Sequence, residues 1–111
     1  MRIANYDALS AAVMGVATIT SDPIDISSSF GYAVHCIWTG TPTGTLTLEA
    51  SCQENAPTAF ETISGTSVSL VGAAGAQLYN VSDCQYKWAR IKYVGASGAG
   101  LITAHVNKKG F

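Results

Sequence analysis

The chain has 111 residues, with six Lys+Arg against seven Asp+Glu and a formal net charge of -1. Hydrophobic residues make up 48% and charged residues only 12%, which excludes a disordered tail, since such segments are rich in charge and poor in apolar side chains. The near-neutral balance, without a Lys/Arg stripe, excludes a basic nucleic-acid binder, and no apolar run reaches the roughly 18 residues of a membrane-spanning helix. The length suits a single domain. A charged share about half the usual one leaves surface that suits burial against a partner.

Taken in chain order, Arg2 is followed by Asn5, Tyr6, Asp7 and Ser10, which break any apolar core of a signal peptide. The expectation is synthesis in a reducing cytoplasm. Cys36, Cys52 and Cys84 are odd in number and irregularly spaced, so they read as free thiols rather than a disulfide framework, with a Cys52–Cys84 bridge as the alternative. Residues 1–22 read as an N-terminal arm or first strand, which mixes apolar Ile3, Tyr6, Leu9 and Val13 with flexible small residues. Two further readings stay open there: a short helix over residues 7–15 capped by Asp7, or a strand over 13–20 followed by an edge strand starting at Pro23.

Residues 23–111 form the expected domain. Phe30, Tyr32, Val34, Cys36 and Trp38 fall on one face at period two, which predicts a strand. The Gly/Pro-rich stretch 39–44 follows, and then Leu46, Leu48, Ala50 and Cys52 alternate against Thr45, Thr47, Glu49 and Ser51. Two alternating runs about such a turn predict a central hairpin over residues 30–52. Short strands are expected over 59–63, 67–71 and 77–81. A longer one is expected over 86–94, where Lys87, Ala89, Ile91 and Tyr93 oppose Tyr86, Trp88, Arg90, Lys92 and Val94. Both of its faces carry bulk, so neither is plainly the outside. Gly95 to Gly100 reads as a hairpin turn into a last strand over 101–106. Seven to nine short strands without a long helix predict an all-β, antiparallel sandwich or jelly roll.

The blocks Trp38-Thr39-Gly40-Thr41-Pro42-Thr43-Gly44-Thr45-Leu46, Tyr79-Asn80-Val81-Ser82-Asp83, Tyr86-Lys87-Trp88-Ala89-Arg90-Ile91-Lys92-Tyr93 and Ser97-Gly98-Ala99-Gly100-Leu101 occur in that order. In this the chain resembles a group of small β-sandwich proteins of tailed bacteriophages, over roughly residues 24–110. The resemblance implies a virion structural component: a capsid decoration or other head-associated protein, a head fibre piece or a tail-associated module. Ser51 to Asn55 and Asp83 to Tyr86 depart from the group's glycine-containing turns, so any ligand role of those loops does not carry over.

No constellation points to catalysis. The carboxylates are scattered, no nucleophile elbow is present, and the one close His/Cys pair, His35-Cys36, points to opposite sheet faces. The expectation is therefore a non-enzyme without metal or cofactor. Two surfaces are candidates. Ile3, Tyr6 and Leu9 of the arm, with Arg90 and Lys92 on the Trp88 face, suit contacts with shell proteins or other copies. Trp38, Tyr86, Trp88 and Tyr93 would form a stacking platform for a glycan if exposed, and are core residues otherwise. Few charges guarding the sheet edges point to a homo-oligomer, a trimer at a symmetry axis.

Overall fold

The computed structural model describes residues 2–26, 29–54, 57–82 and 87–110. They form ten strands: β1 (Arg2–Met14), β2 (Thr18–Thr20), β3 (Ile24–Asp25), β4 (Ser29–Trp38), β5 (Thr43–Ser51), β6 (Glu61–Thr62), β7 (Val68–Val71), β8 (Gly75–Ser82), β9 (Trp88–Ser97) and β10 (Gly100–Gly110). Among the described residues there is no helix. One sheet runs β1-β10-β4-β8 and the other β2-β9-β5-β6, with β3 also on β9 and β7 also on β5. Every pairing is antiparallel. The protein is an all-β sandwich, as its alternation predicts.

The two sheets correspond strand by strand. β1 leads into β2, β4 into β5, β7 into β8 and β9 into β10, and each of these steps crosses from one sheet to the other. The architecture is one four-stranded antiparallel ribbon folded over on itself. Residues 29–51 and 88–110 pair along nearly their whole length, from Ser29↔Gly110 through Trp38↔Ile102 and Thr43↔Ser97 to Ser51↔Trp88. The pairing continues around the bend, where the amides of Thr39 and Thr41 donate to the carbonyls of Leu101 (3.0 Å) and Ala99 (2.8 Å). Gly40 (φ 84°) and Gly98 (φ 81°) supply the left-handed backbone that the two turns need.

This corrects two expectations. Residues 30–52 are not a hairpin, and Gly95 to Gly100 is not a hairpin turn. Both are arches between sheets. Alternation marks a strand and its buried face, but it is equally satisfied by a neighbour in the same sheet or by one opposite. What decides is the bonding of the turn, and here the two arches bond to each other.

Inward positions fill the space between the sheets. Tyr32, Val34, Cys36 and Trp38 of β4 face Leu46 and Leu48 of β5, with Ala89, Ile91 and Tyr93 of β9 and Ile102, Ala104 and Val106 of β10 beside them. Burying each large apolar side chain contributes about 1.5–3 kcal/mol, so this inward set fixes the register. β1 pairs with β10 from Arg2↔Gly110 to Met14↔Gly100, and Leu9 and Met14 lie in the core. Residues 7–15 are therefore not a helix, and Leu9 serves the domain's own core rather than a neighbour. Irregularities between Asp7 and Leu9 and between Leu9 and Ala12, with Ala11 at φ 50°, bend this edge strand.

Candidate interaction surfaces

On β9 the inward residues are Ala89, Ile91 and Tyr93, so Trp88, Arg90, Lys92 and Val94 face outward. The register places Glu49 of β5 directly opposite Arg90. Arg90 Nε donates to Glu49 Oε1 at 2.7 Å, and Lys92 Nζ lies 3.8 Å from Oε2. The Glu49 side chain is only 6% exposed, and two cations offset the cost of shielding its charge from water. The Arg90 guanidinium also lies 4.1 Å from the centre of the Phe60 ring. The loop carrying Phe60 is held by Trp88, whose indole Nε1 donates to the Gln53 carbonyl at 2.9 Å. Gln53 Oε1 in turn accepts from the amides of Thr58 (2.6 Å) and Ala59 (2.8 Å).

Arg90 and Lys92, expected as contact residues, thus share the single carboxylate of Glu49 within the domain. Sequence reading missed Glu49 and Phe60 as their partners. Cross-strand register alone brings these residues together, and a single sequence carries no direct sign of it.

The outer face of the first sheet carries a row across four strands. Asp7, His105, His35 and Leu78 are successive register partners on β1, β10, β4 and β8. His105 Nδ1 and Asp7 Oδ1 are 2.6 Å apart, both side chains are nearly half exposed, and the two imidazole rings are 6.4 Å apart.

Two of the four glycan-platform candidates are core residues. Trp38 and Tyr93 point into the core, at 7% and 0% exposure, because their strands alternate with them on the inward face. Trp38 closes over Gly75 and donates from Nε1 to the Ala73 carbonyl at 3.1 Å. Trp88 is half-buried with Lys87 Nζ 5.7 Å from its ring centre. Tyr86 lies outside the described residues, as do Cys84 and the side chains of Ile3 and Tyr6. Cys36 is buried, and desolvation pushes its thiol up to about 12, whereas Cys52 is an exposed free thiol. Among the described residues, no three His, Cys, Asp or Glu side chains converge as metal ligands would.

Apart from Leu78, which is 61% exposed on the outer face of the first sheet, the most exposed large apolar side chains stand away from the charged residues. The sequence has no charged residue over 8–21, 26–48, 62–82 or 93–107. The four crossings at one end of the sandwich, β1 to β2, β4 to β5, β7 to β8 and β9 to β10, each fall in one of these stretches. Near that end stand Val16 (75% exposed), Val71 (84%) and Val13 (77%), with Leu101, Val94 and Ile37 less exposed behind them. The opposite end holds Asp25, Glu61, Lys87, Lys108 and Lys109.

No protein-family model matches the chain, and no curated protein matches it by sequence. Solved structures do share its fold. The PBSX exported protein XepA superposes with a TM-score of 0.68 at 15% identity, over 97% of this chain and 37% of that one. The SPBc2 prophage-derived protein YomS gives 0.58 at 11% identity, over 96% of this chain and 93% of that one. A carbohydrate-binding module of a Ruminococcus flavefaciens family 9 glycoside hydrolase gives 0.53 at 13% identity, over 94% and 96%. The chain thus spans little more than a third of XepA and nearly all of YomS. These likenesses establish a β-sandwich also used by a prophage-derived protein. At such identities the fold is shared, and the residues must speak for function.

Proposed function

We propose that this chain is a structural component of a phage particle, without enzymatic activity: a capsid decoration or head-associated protein that binds the shell and its own copies. The carrying observation is the charge-free end of the sandwich with its exposed valines. Apolar surface gathered in one region of a charge-poor protein suits burial against another protein. The fold shared with a prophage-derived protein supports the phage setting. The glycan-binding reading has the fold of a carbohydrate-binding module behind it, but two of its four aromatic residues are core residues.

The test is the protein's copy number in purified particles, together with rebinding of the full chain to particles that lack it. Saturable binding, at a copy number comparable with the shell protein, is expected. A handful of copies per particle would move the protein to the tail. No binding to particles would overturn the proposal.

A further inference from the structure

We infer that the charge-free end of the sandwich is an interface with a second copy of this chain, the two molecules meeting end to end about a two-fold axis. The inference rests on the assembly reading above and names the surface that serves self-association.

Three observations carry it. The first is composition. The four crossings at this end lie in charge-free stretches, so an identical copy brings no like charge to the contact and no ion has to lose its water. Val16 and Val71 stand at the tip, and Val13 and Leu101, register partners at the end of the first sheet, form part of the rim. The opposite end, with Glu61, Lys87 and Lys109, would have to desolvate charges in any such contact.

The second observation is size. The molecule measures 40 × 27 × 22 Å, and its long strands run along the 40 Å axis. The end therefore presents a section of 27 by 22 Å, and two ends in contact hide on the order of 1,200 Å² in all. That reaches the lower limit for specific, stable interfaces.

The third is preorganisation. Three of these crossings, β4 to β5, β7 to β8 and β9 to β10, are tied together by the amides of Thr39, Thr41 and Gly72, which donate to the carbonyls of Leu101, Ala99 and Pro42. The Trp38 indole adds a bond to the Ala73 carbonyl. A surface so fixed gives up little conformational freedom on binding.

The experiment is sedimentation and small-angle X-ray scattering on the full chain, beside Val16→Lys, Val71→Lys and Leu78→Lys. All three side chains are exposed, and Leu78 lies on the outer face of the first sheet, away from the tip. The wild type is expected to dimerise with rising concentration, to a maximum dimension about twice the 40 Å of one copy. Val16→Lys and Val71→Lys should each weaken the dimer about tenfold or more, since each brings two cations, one per copy, into an apolar contact where they lose water. Leu78→Lys should leave it intact. A wild type that stays monomeric, a compact side-by-side dimer, or equal weakening by Leu78→Lys would each overturn the inference. A monomer that still binds particles sinks only the end-to-end contact. A dimer of the expected length that never joins particles sinks only the virion reading.

Discussion

A methyl group on Gly98 would stand 1.9 Å from the carbonyl oxygen of Thr41, so the two arches that carry the chain between sheets touch backbone to backbone. The contact is mutual, because a Cβ on Gly40 would lie 2.4 Å from the Ala99 carbonyl oxygen. Folding a four-stranded ribbon in half brings its bends this close only where side chains are missing.

The first prediction separates that close approach from backbone conformation. Gly98 (φ +81°) and Gly65 (φ +82°) share the same left-handed geometry, but a Cβ on Gly65 meets nothing within 4 Å. Gly65→Ala should cost about 1–2 kcal/mol, the strain of the left-handed region alone. Gly98→Ala adds a clash with fixed backbone and should cost roughly 1–3 kcal/mol more. Urea unfolding of the two variants measures the difference. Equal destabilisation would show that the arches can move apart freely.

Much of this fold was legible because period-two alternation reports burial directly. Tyr32 to Trp38 and Leu46 to Leu48 face the core as the alternation of their segments requires. The 86–94 strand was ambiguous for a physical reason. Its outward side carries Trp88, Arg90 and Lys92, whose apolar stems and ring cover surface and so resemble core in sequence. The pairing of strands was not legible. Thr39 and Thr41 could close a hairpin or bond to Leu101 and Ala99, and only the positions of residues some sixty places away decide between them. The Arg90–Glu49–Phe60 contact was hidden for the same cause.

The second prediction concerns Tyr93. Its hydroxyl is buried with no hydrogen-bond partner among the described residues, and desolvation holds its pKa above the ordinary tyrosine value. An unsatisfied buried polar group costs about 1–3 kcal/mol, which Tyr93→Phe removes without changing the ring's packing. The variant should be as stable as the parent or more so. A loss of more than about 1 kcal/mol in thermal or urea unfolding would mean that the hydroxyl has a partner.

The third prediction concerns Glu49. Glu49→Ala leaves Arg90 half-buried without its carboxylate and Lys92 without its near neighbour. The expected cost is about 1–3 kcal/mol, below that of a fully buried pair because both cations keep some contact with water. Adding Arg90→Met to Glu49→Ala should recover part of the loss, since the unpaired charge is then gone. A double-mutant cycle reads this coupling. Strict additivity would show that the ion pair contributes nothing.

The last prediction is an alkaline loss of stability centred on Cys36. The folded protein holds this thiol up at about 12 by desolvation, against 9.0 for the group in water. Below pH 9.0 the thiol is neutral in both states, and its full contribution to stability is present. Above that value the unfolded chain releases the proton while the folded one keeps it. The unfolded state then binds fewer protons, and stability falls as pH rises towards the folded value. The slope from this one group is at most about 1.4 kcal/mol per pH unit. Tyr79, raised by its own burial and then by the nearby Cys36 thiolate, acts in the same direction at higher pH. Urea unfolding from about pH 8 to about pH 11 should show the decline, and Cys36→Ala should make it shallower. Alkylation supplies an independent reading. In the native protein Cys52 should react promptly, while Cys36 reacts only after unfolding, because both burial and the lack of thiolate protect it. An unchanged pH slope in Cys36→Ala, or native labelling of Cys36 as fast as Cys52, would show that the interior around Val34 and Val106 opens to water.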